Sequence, residues 1–222
     1  MTDFYDLSIN GKTAAMPSFY DRHILPRLIG CACGAGAIAK QRAKVVPLAE
    51  GKVLELGIGG GLNLAFYDPA RVNSVTGVDP SEGLRDRALA APRPEGLKVT
   101  VLPGEAEQLG FDDDSFDTVV CTFTLCSVHT PAAVLAETRR VLKPRGRFLF
   151  CEHGLAPDTA VARWQQRIEP FWTPMAGGCR LTRPVGAAIV AAGFLIDETQ
   201  TFYMPKAPKP LGWCELGVAR VA

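Results

Sequence analysis

The residues best placed to do chemistry begin at Val53-Leu54-Glu55-Leu56, a hydrophobic strand pattern that runs straight into Gly57-Ile58-Gly59-Gly60-Gly61 and then a helical pattern. Glycines at such a point let the backbone turn sharply and let a ligand approach main-chain N–H groups that a Cβ would screen. The spacing is G-x-G-x-G, and Leu62 stands where a dinucleotide fingerprint wants its last glycine. Asp79, with Pro80 behind it, ends the next strand pattern, where an acidic side chain accepts hydrogen bonds from both hydroxyls of a ribose. Together these features point to a nucleoside-containing ligand. At this stage a nicotinamide-dependent oxidoreductase and a binding protein without catalysis both stay open as readings.

A second group of reactive side chains lies farther along: Cys126, the pair Glu152-His153, Trp172 and Cys179. His153 directly follows a strand pattern, at the edge of an open α/β sheet where ligands bind, and is the candidate base or orienting group. A histidine held structurally beneath the following segment is the competing reading. His129 reads as a helix-start residue ahead of Thr130-Pro131. Tyr20, Trp164, Phe171 and Trp172 are aromatic groups able to wall a pocket and face a cation. The cysteines are odd in number, seven, with no C-x-x-C pair, so no metal is expected and the thiols point to a reducing, cytoplasmic setting.

These residues need elements to position them. From residue 52 onward short apolar runs alternate with helical patterns, as in βαβ units with a parallel sheet. The sequence predicts strands at 52–56, 74–79, 98–102, 116–122 and 147–152, with two closing strands near 194–203 and 211–221. Ser81 is expected to cap a helix running to about Ala91, Thr130-Pro131 to open a second, and a third to span about 184–192. Val134, Leu135, Thr138, Val141 and Leu142 recur at helical spacing, so one face of the second helix covers the sheet. Residues 143–146 read as a turn. Between 154 and 182 the alternation breaks, and a long insertion in a compact domain is more often functional than idle.

The whole chain has 222 residues, within the range of a single α/β domain, and its 24 Lys and Arg nearly balance 23 Asp and Glu. No overall field steers it to nucleic acid, and no nucleic-acid partner is expected. The longest apolar run, residues 28–39, falls well short of the roughly 20 residues of a bilayer span, which leaves only contact with a membrane surface open.

Four motifs in order carry a resemblance: the 57–61 glycines, Gly104-Glu105-Ala106-Glu107, Ser115-Phe116-Asp117 and Val141-Leu142-Lys143-Pro144-Arg145-Gly146. This chain resembles class I S-adenosylmethionine-dependent methyltransferases of the ubiquinone-biosynthesis and type 11 kind, with Glu105 and Arg145 departing from the usual Asp and Gly. The resemblance implies a Rossmann-like seven-stranded sheet, mostly parallel with the last strand antiparallel and helices on both faces, in one domain. It implies S-adenosyl-L-methionine as cofactor. Glu105 and the backbone N–H of Ala106 would read the adenine, Asp79 the ribose, and the glycine loop the methionine part, with Glu55, Pro80 and Thr122 beside them.

The series from Cys121 to Val128, Glu152-His153, Trp164-Gln165-Gln166, Trp172 and Gly178-Cys179-Arg180-Leu181-Thr182-Arg183 is similar to the methyltransferase-like alkyl-thiol S-methyltransferases. That likeness implies a small-molecule thiol acceptor in a pocket lined by Tyr20, Cys126, Glu152, Trp172 and Cys179. An amine, a phospholipid headgroup and a quinone carbon are the other acceptors weighed. Those relatives carry a hydrophobic N-terminal anchor, and no comparable run occurs here. The expected organisation is a helical cap over residues 1–46 and a catalytic domain over 47–222 with its acceptor-site insertion at 154–182.

Overall fold

Strands form where β-branched and aliphatic residues run together, and helices where apolar positions recur every three or four residues. In the computed structural model, which describes residues 36–222, this gives β1 (Gly51–Leu56), β2 (Val72–Val78), β3 (Val99–Leu102), β4 (Phe116–Thr122), β5 (Leu142–His153), β6 (Phe194–Tyr203) and β7 (Trp213–Val221). The helices are α1 (Gly36–Val45), α2 (Glu82–Ala90), α3 (Pro131–Val141), α4 (Thr159–Met175), α5 (Val185–Ala191) and the short α6 (Lys209–Gly212). The seven strands form one sheet in the order β3-β2-β1-β4-β5-β7-β6. β7 runs antiparallel to both its neighbours, β5 and β6, while β1 to β5 pair in parallel.

Alternate residues of the central strands feed two cores. Leu54, Leu56, Val119, Phe148 and Phe150 pack on one face with Val134 and Leu135 of α3 and Ile189 of α5. Val53, Val120, Leu149 and Cys151 pack on the other with Val45 of α1, Leu64, Tyr67 and Ala88 of α2. A strand buried on both sides loses the polar/apolar alternation of a half-exposed one, which is why apolar residues stand side by side at 53–54 and 119–121.

The order reverses between β1 and β4: the chain steps outward from β1 to β2 to β3, then crosses back to lay β4 on the other side of β1. Ligands of open α/β sheets bind at the carboxyl ends of the strands beside such a reversal. Gly57, Asp79, Pro103 and Phe123 directly follow β1, β2, β3 and β4, and His153 ends β5, so all stand along that one edge.

Three local expectations are corrected. No α-helix follows the glycine loop; only a 3-10 turn, Leu64–Phe66, forms before β2, because Asn63 and Tyr67 are turned inward to a buried carboxylate and Pro69 follows at once. Ser81 occupies the first position before α2 without a side-chain capping bond; the Asp79 carboxylate accepts the Ser81 N–H instead at 2.9 Å. Residues 143–146 do turn, but inside β5: Phe116 pairs with Leu142 and Thr118 with Arg147, so four residues bulge opposite Asp117. Lys143 Nζ donates to Asp117 there at 2.6 Å.

The Tyr20 assignment and most of the expected N-terminal cap lie outside the described residues. Among the described residues no helix is long and apolar enough to cross a membrane.

Candidate active site

The floor of the site is a buried polar network beneath the glycine loop. Glu55 on β1 receives Asn63 Nδ2 at 2.9 Å on one oxygen and the Tyr67 hydroxyl at 2.7 Å on the other. Asn63 Nδ2 also donates to Thr122 Oγ1 at 2.9 Å, and Arg42 Nη1 reaches Asn63 Oδ1 at 2.7 Å and Thr122 Oγ1 at 2.6 Å. Burial pushes the Glu55 carboxyl up to about 7, against the pull of the Tyr67 bond and the Arg42 charge. The Tyr67 hydroxyl is raised too, by burial and by the carboxyl it faces. Glu55 and Thr122 were expected at the ligand surface. The structure buries both beneath the glycine loop, each bonded to Asn63.

Two glycines show why the loop tolerates little else. Gly57 has φ +63° and a Cβ on it would stand 2.4 Å from Thr124 Oγ1, so the β1 and β4 turns approach as only glycine allows. Gly59 also has positive φ, yet a Cβ on it would meet nothing closer than 3.8 Å. That space is open on the ligand side. The Gly59 N–H is spent on Asp79 Oδ2 at 2.9 Å and Ser81 N–H on Asp79 Oδ1, so two amides aim the carboxylate. Burial raises the Asp79 carboxyl above its ordinary value while the same two amides pull it back.

Beyond Asp79, a cleft of about 330 Å³ is lined by Val78, Leu102, Gly104, Glu105, Leu109 and Phe111. Glu105 is exposed at its mouth and Ala106 is buried in the core below. Glu107 of the same motif turns away, accepting the His129 N–H at 2.9 Å just ahead of α3, whose N-terminal flanking position is Thr130. A larger groove, about 620 Å³, lies between α3 and α5. Its walls are alanines, Leu135 and the stems of Arg139 and Arg140, with none of the carboxylates at the strand ends.

Next to the glycine turn, residues 122–128 form a loop held from beneath and from the insertion. Glu152 is fully buried; its two oxygens accept the N–H of Thr124 at 2.9 Å and of Cys126 at 3.0 Å. It was expected to line a substrate; the structure buries it and uses both its oxygens to clamp this loop. Arg183 donates to the carbonyls of Leu125 and Val128, and Arg180 N–H to the Cys126 carbonyl at 2.9 Å. The insertion is folded on itself through Gln165, which spans Gly154 O and Ala156 N, and through Glu169, which accepts Thr182 N–H and Oγ, so that Arg180 and Arg183 can tie its end to this loop.

This anchoring brings Cys126, Cys179, Trp172 and Leu181 into one apolar cluster and sets His153 at its rim. The imidazole leans on the Phe123 ring at 4.9 Å between centroids, with Nδ1 3.8 Å from Cys179 Sγ. Trp172 Nε1 is buried without a hydrogen-bond partner. The Cys126 thiol is pushed well up by the Cys179 thiol beside it and by burial.

Arg42, Asn63, Tyr67 and Glu169 were not picked out in the sequence, and Gln165 entered only within a quoted motif. Asn63 and Tyr67 carry a weak signal, being polar groups just past a glycine loop, whereas Arg42 bonds a threonine eighty positions away and belongs to no motif.

With this geometry in view, the relatives fall into place. Residues 54–150 match the family described as Methyltransferase domain. Human thiol S-methyltransferase TMT1B is 41% identical over 176 residues, covering 76% of this chain and 69% of the relative. Human thiol S-methyltransferase TMT1A is 36% identical, covering 72% and 66%. This chain therefore spans about two thirds of the length of those relatives. A solved SAM-dependent methyltransferase from Thermotoga maritima superposes with a TM-score of 0.65 at 22% identity, over 90% of this chain and 99% of that one, which concerns the fold. The chain belongs to the class I S-adenosylmethionine-dependent methyltransferases, within the group that includes TMT1. It is accordingly a methyl-transferring enzyme that uses S-adenosyl-L-methionine.

Proposed function

We propose that the acceptor is a small thiol, methylated on sulfur. The observation that carries the reading is the apolar cluster of Cys126, Cys179, Trp172 and Leu181 beside His153, one loop away from the glycine turn, together with the thiol S-methyltransferase relatives. When bound, the cofactor supplies a methyl group on a sulfonium, which an in-line nucleophile displaces. The residues present fit it: Asp79 for the ribose hydroxyls, Glu105 and the Ala106 backbone for adenine in the 330 Å³ cleft, and the space over Gly59 for the methionine part. Little acid–base machinery is needed, since a thiol with a pKa near 8.5 is already a few per cent thiolate at neutral pH. His153 orients the thiol, and the apolar walls keep water from the methyl group.

In this reading residues 1–46 cap the site and 154–182 roof it, and α1 supports the first part by lodging Arg42 against Thr122 and the Phe123 ring. The five described cysteines are free thiols, which supports a cytoplasmic setting. Exposed Trp164, Phe171 and Met175 recur on one face of α4 and support peripheral contact with a membrane surface.

A methyl-transfer assay on the purified chain against thiol, amine and phenol panels tests the acceptor. The expected result is fastest transfer to an alkyl thiol, with a rate that climbs as pH approaches the thiol's own pKa. Transfer to an amine or quinone precursor about a hundredfold faster than to any small thiol would overturn the acceptor while leaving the methyltransferase intact.

A further inference from the structure

We infer that Cys126, His153 and Cys179 form a binding site for one soft divalent metal ion, with zinc as the closest fit. Three separate stretches of chain, the loop after β4, the end of β5 and the segment after α4, converge to place two sulfurs and one imidazole nitrogen within 4.8 Å of one another. Tetrahedral zinc, with Zn–S near 2.3 Å and Zn–N near 2.0 Å, holds two sulfurs about 3.8 Å apart and a sulfur and a nitrogen about 3.5 Å apart. The Cys179 Sγ to His153 Nδ1 separation is 3.8 Å, so small side-chain rotations bring the three donors onto one ion.

The donor set is also held in place. The Cys126 N–H is fixed by Glu152, its carbonyl by the Arg180 N–H, and the Cys179 carbonyl by Thr173 Oγ1 at 3.3 Å, so both cysteine backbones are tied to each other and to the sheet. The His153 ring is braced by Phe123. Such an outer layer of bonds is what a preformed metal site needs. Two cysteines and a histidine leave a tetrahedral ion one position short, the arrangement of a site that admits a further ligand.

That fourth position is where the inference rests on the thiol reading. An alkyl thiol entering it gives its proton to water and is held as a thiolate. As the new sulfur–methyl bond forms, the carbon–sulfonium bond breaks with its electron pair staying on the departing sulfur, and the neutral thioether leaves. Metal binding by the three side chains stands without that step.

The test uses the full chain, kept reduced with a phosphine and titrated with Co²⁺ as a spectroscopic substitute for zinc. One equivalent should produce the near-ultraviolet thiolate-to-cobalt band and strong visible bands of a tetrahedral site, and zinc should displace it. Cys126→Ala, Cys179→Ala and His153→Ala should each weaken binding about tenfold or more, while Cys214→Ala should not. His153 sits at the cluster's rim, so its variant keeps the test sound if a cysteine variant fails to fold. Absence of the thiolate band in the wild-type protein overturns the proposal, and so does a band that persists in the Cys126/Cys179 double variant, where Cys31 and Cys33 are unchanged. A further change in the visible bands on adding ethanethiol supports the open position. Cobalt spectra that respond to the three variants but not to any thiol would sink the fourth-ligand step and keep the metal site, and neither result depends on methylation being observed.

Discussion

Replacing Glu55 by glutamine should remove a pH dependence of stability that the buried carboxyl imposes. The folded carboxyl keeps its proton to about 7, whereas its ordinary value is 4.5. Between those values the folded chain holds a proton that the unfolded chain has lost, so raising the pH favours unfolding. The contribution is whole below 4.5 and is lost as pH rises through 7. Proton linkage puts the loss at about 0.8 kcal/mol near pH 5 and about 3.3 kcal/mol near pH 8, a swing of about 2.5 kcal/mol. Glutamine has the shape of the protonated acid: its carbonyl still accepts from Asn63 Nδ2, and its amide donates to the Tyr67 oxygen once the hydroxyl turns. It cannot ionise. Urea unfolding of both proteins near pH 5 and near pH 8, followed by circular dichroism, should show the variant gaining about 2.5 kcal/mol on the wild type across that interval. A gain under about 0.5 kcal/mol with unchanged denaturant slopes would mean that Glu55 is ionised in the folded protein and held as an ion by Arg42, and the account of the network would be wrong.

Asp79→Ala should weaken cofactor binding by about 2 to 3 kcal/mol, or roughly thirty- to one-hundred-and-fifty-fold by calorimetric titration, and an affinity within about threefold of wild type in a folded variant would remove it from the site. Gly57→Ala forces a Cβ to 2.4 Å from Thr124 Oγ1 at φ +63°, so the urea midpoint should fall by the equivalent of about 1 to 3 kcal/mol; an unmoved midpoint would refute the close approach of the two turns. Glu152→Ala strands the amides of Thr124 and Cys126 and should cost about 2 to 5 kcal/mol, with Glu152→Gln, which keeps one acceptor, recovering roughly half. Equal losses in the two variants would show that the charge, and not the pair of bonds, matters there.

Most strands and helices were legible because their signals are local. The strand pattern 53–56, the Pro131 position and the spacing of Val134, Leu135 and Thr138 each fix an element without help from distant residues. The glycine turn and Asp79 were legible for the same reason. What local reading could not supply was direction and depth. Nothing in the type of Glu55 or Glu152 says whether a carboxylate at a strand end faces a ligand or serves backbone amides and neighbours beneath it. The expected helix after the glycines failed because two inward-turned polar side chains outweighed helical spacing. The meeting of Cys126, His153 and Cys179 depends on how the insertion folds back, and no spacing along the chain announces it.

The Glu152 clamp carries a consequence for how such an enzyme diversifies. In the proposed reading, the strand ends that would hold the cofactor and the insertion that would roof the acceptor are separate stretches, so exchanging side chains in 154–182 would retune acceptor choice while the glycine turn and Asp79 go untouched. The five residues 122–126 are the exception. Their first member, Thr122, is bonded to Arg42 and Asn63 beneath the cofactor loop, and their last, Cys126, lies in the acceptor cluster. A single carboxylate between them pins the stretch at two amides. Changes there act on both halves at once, so new acceptor preferences are accessible through the insertion at low cost to the cofactor and through this loop only with compensation on the other side.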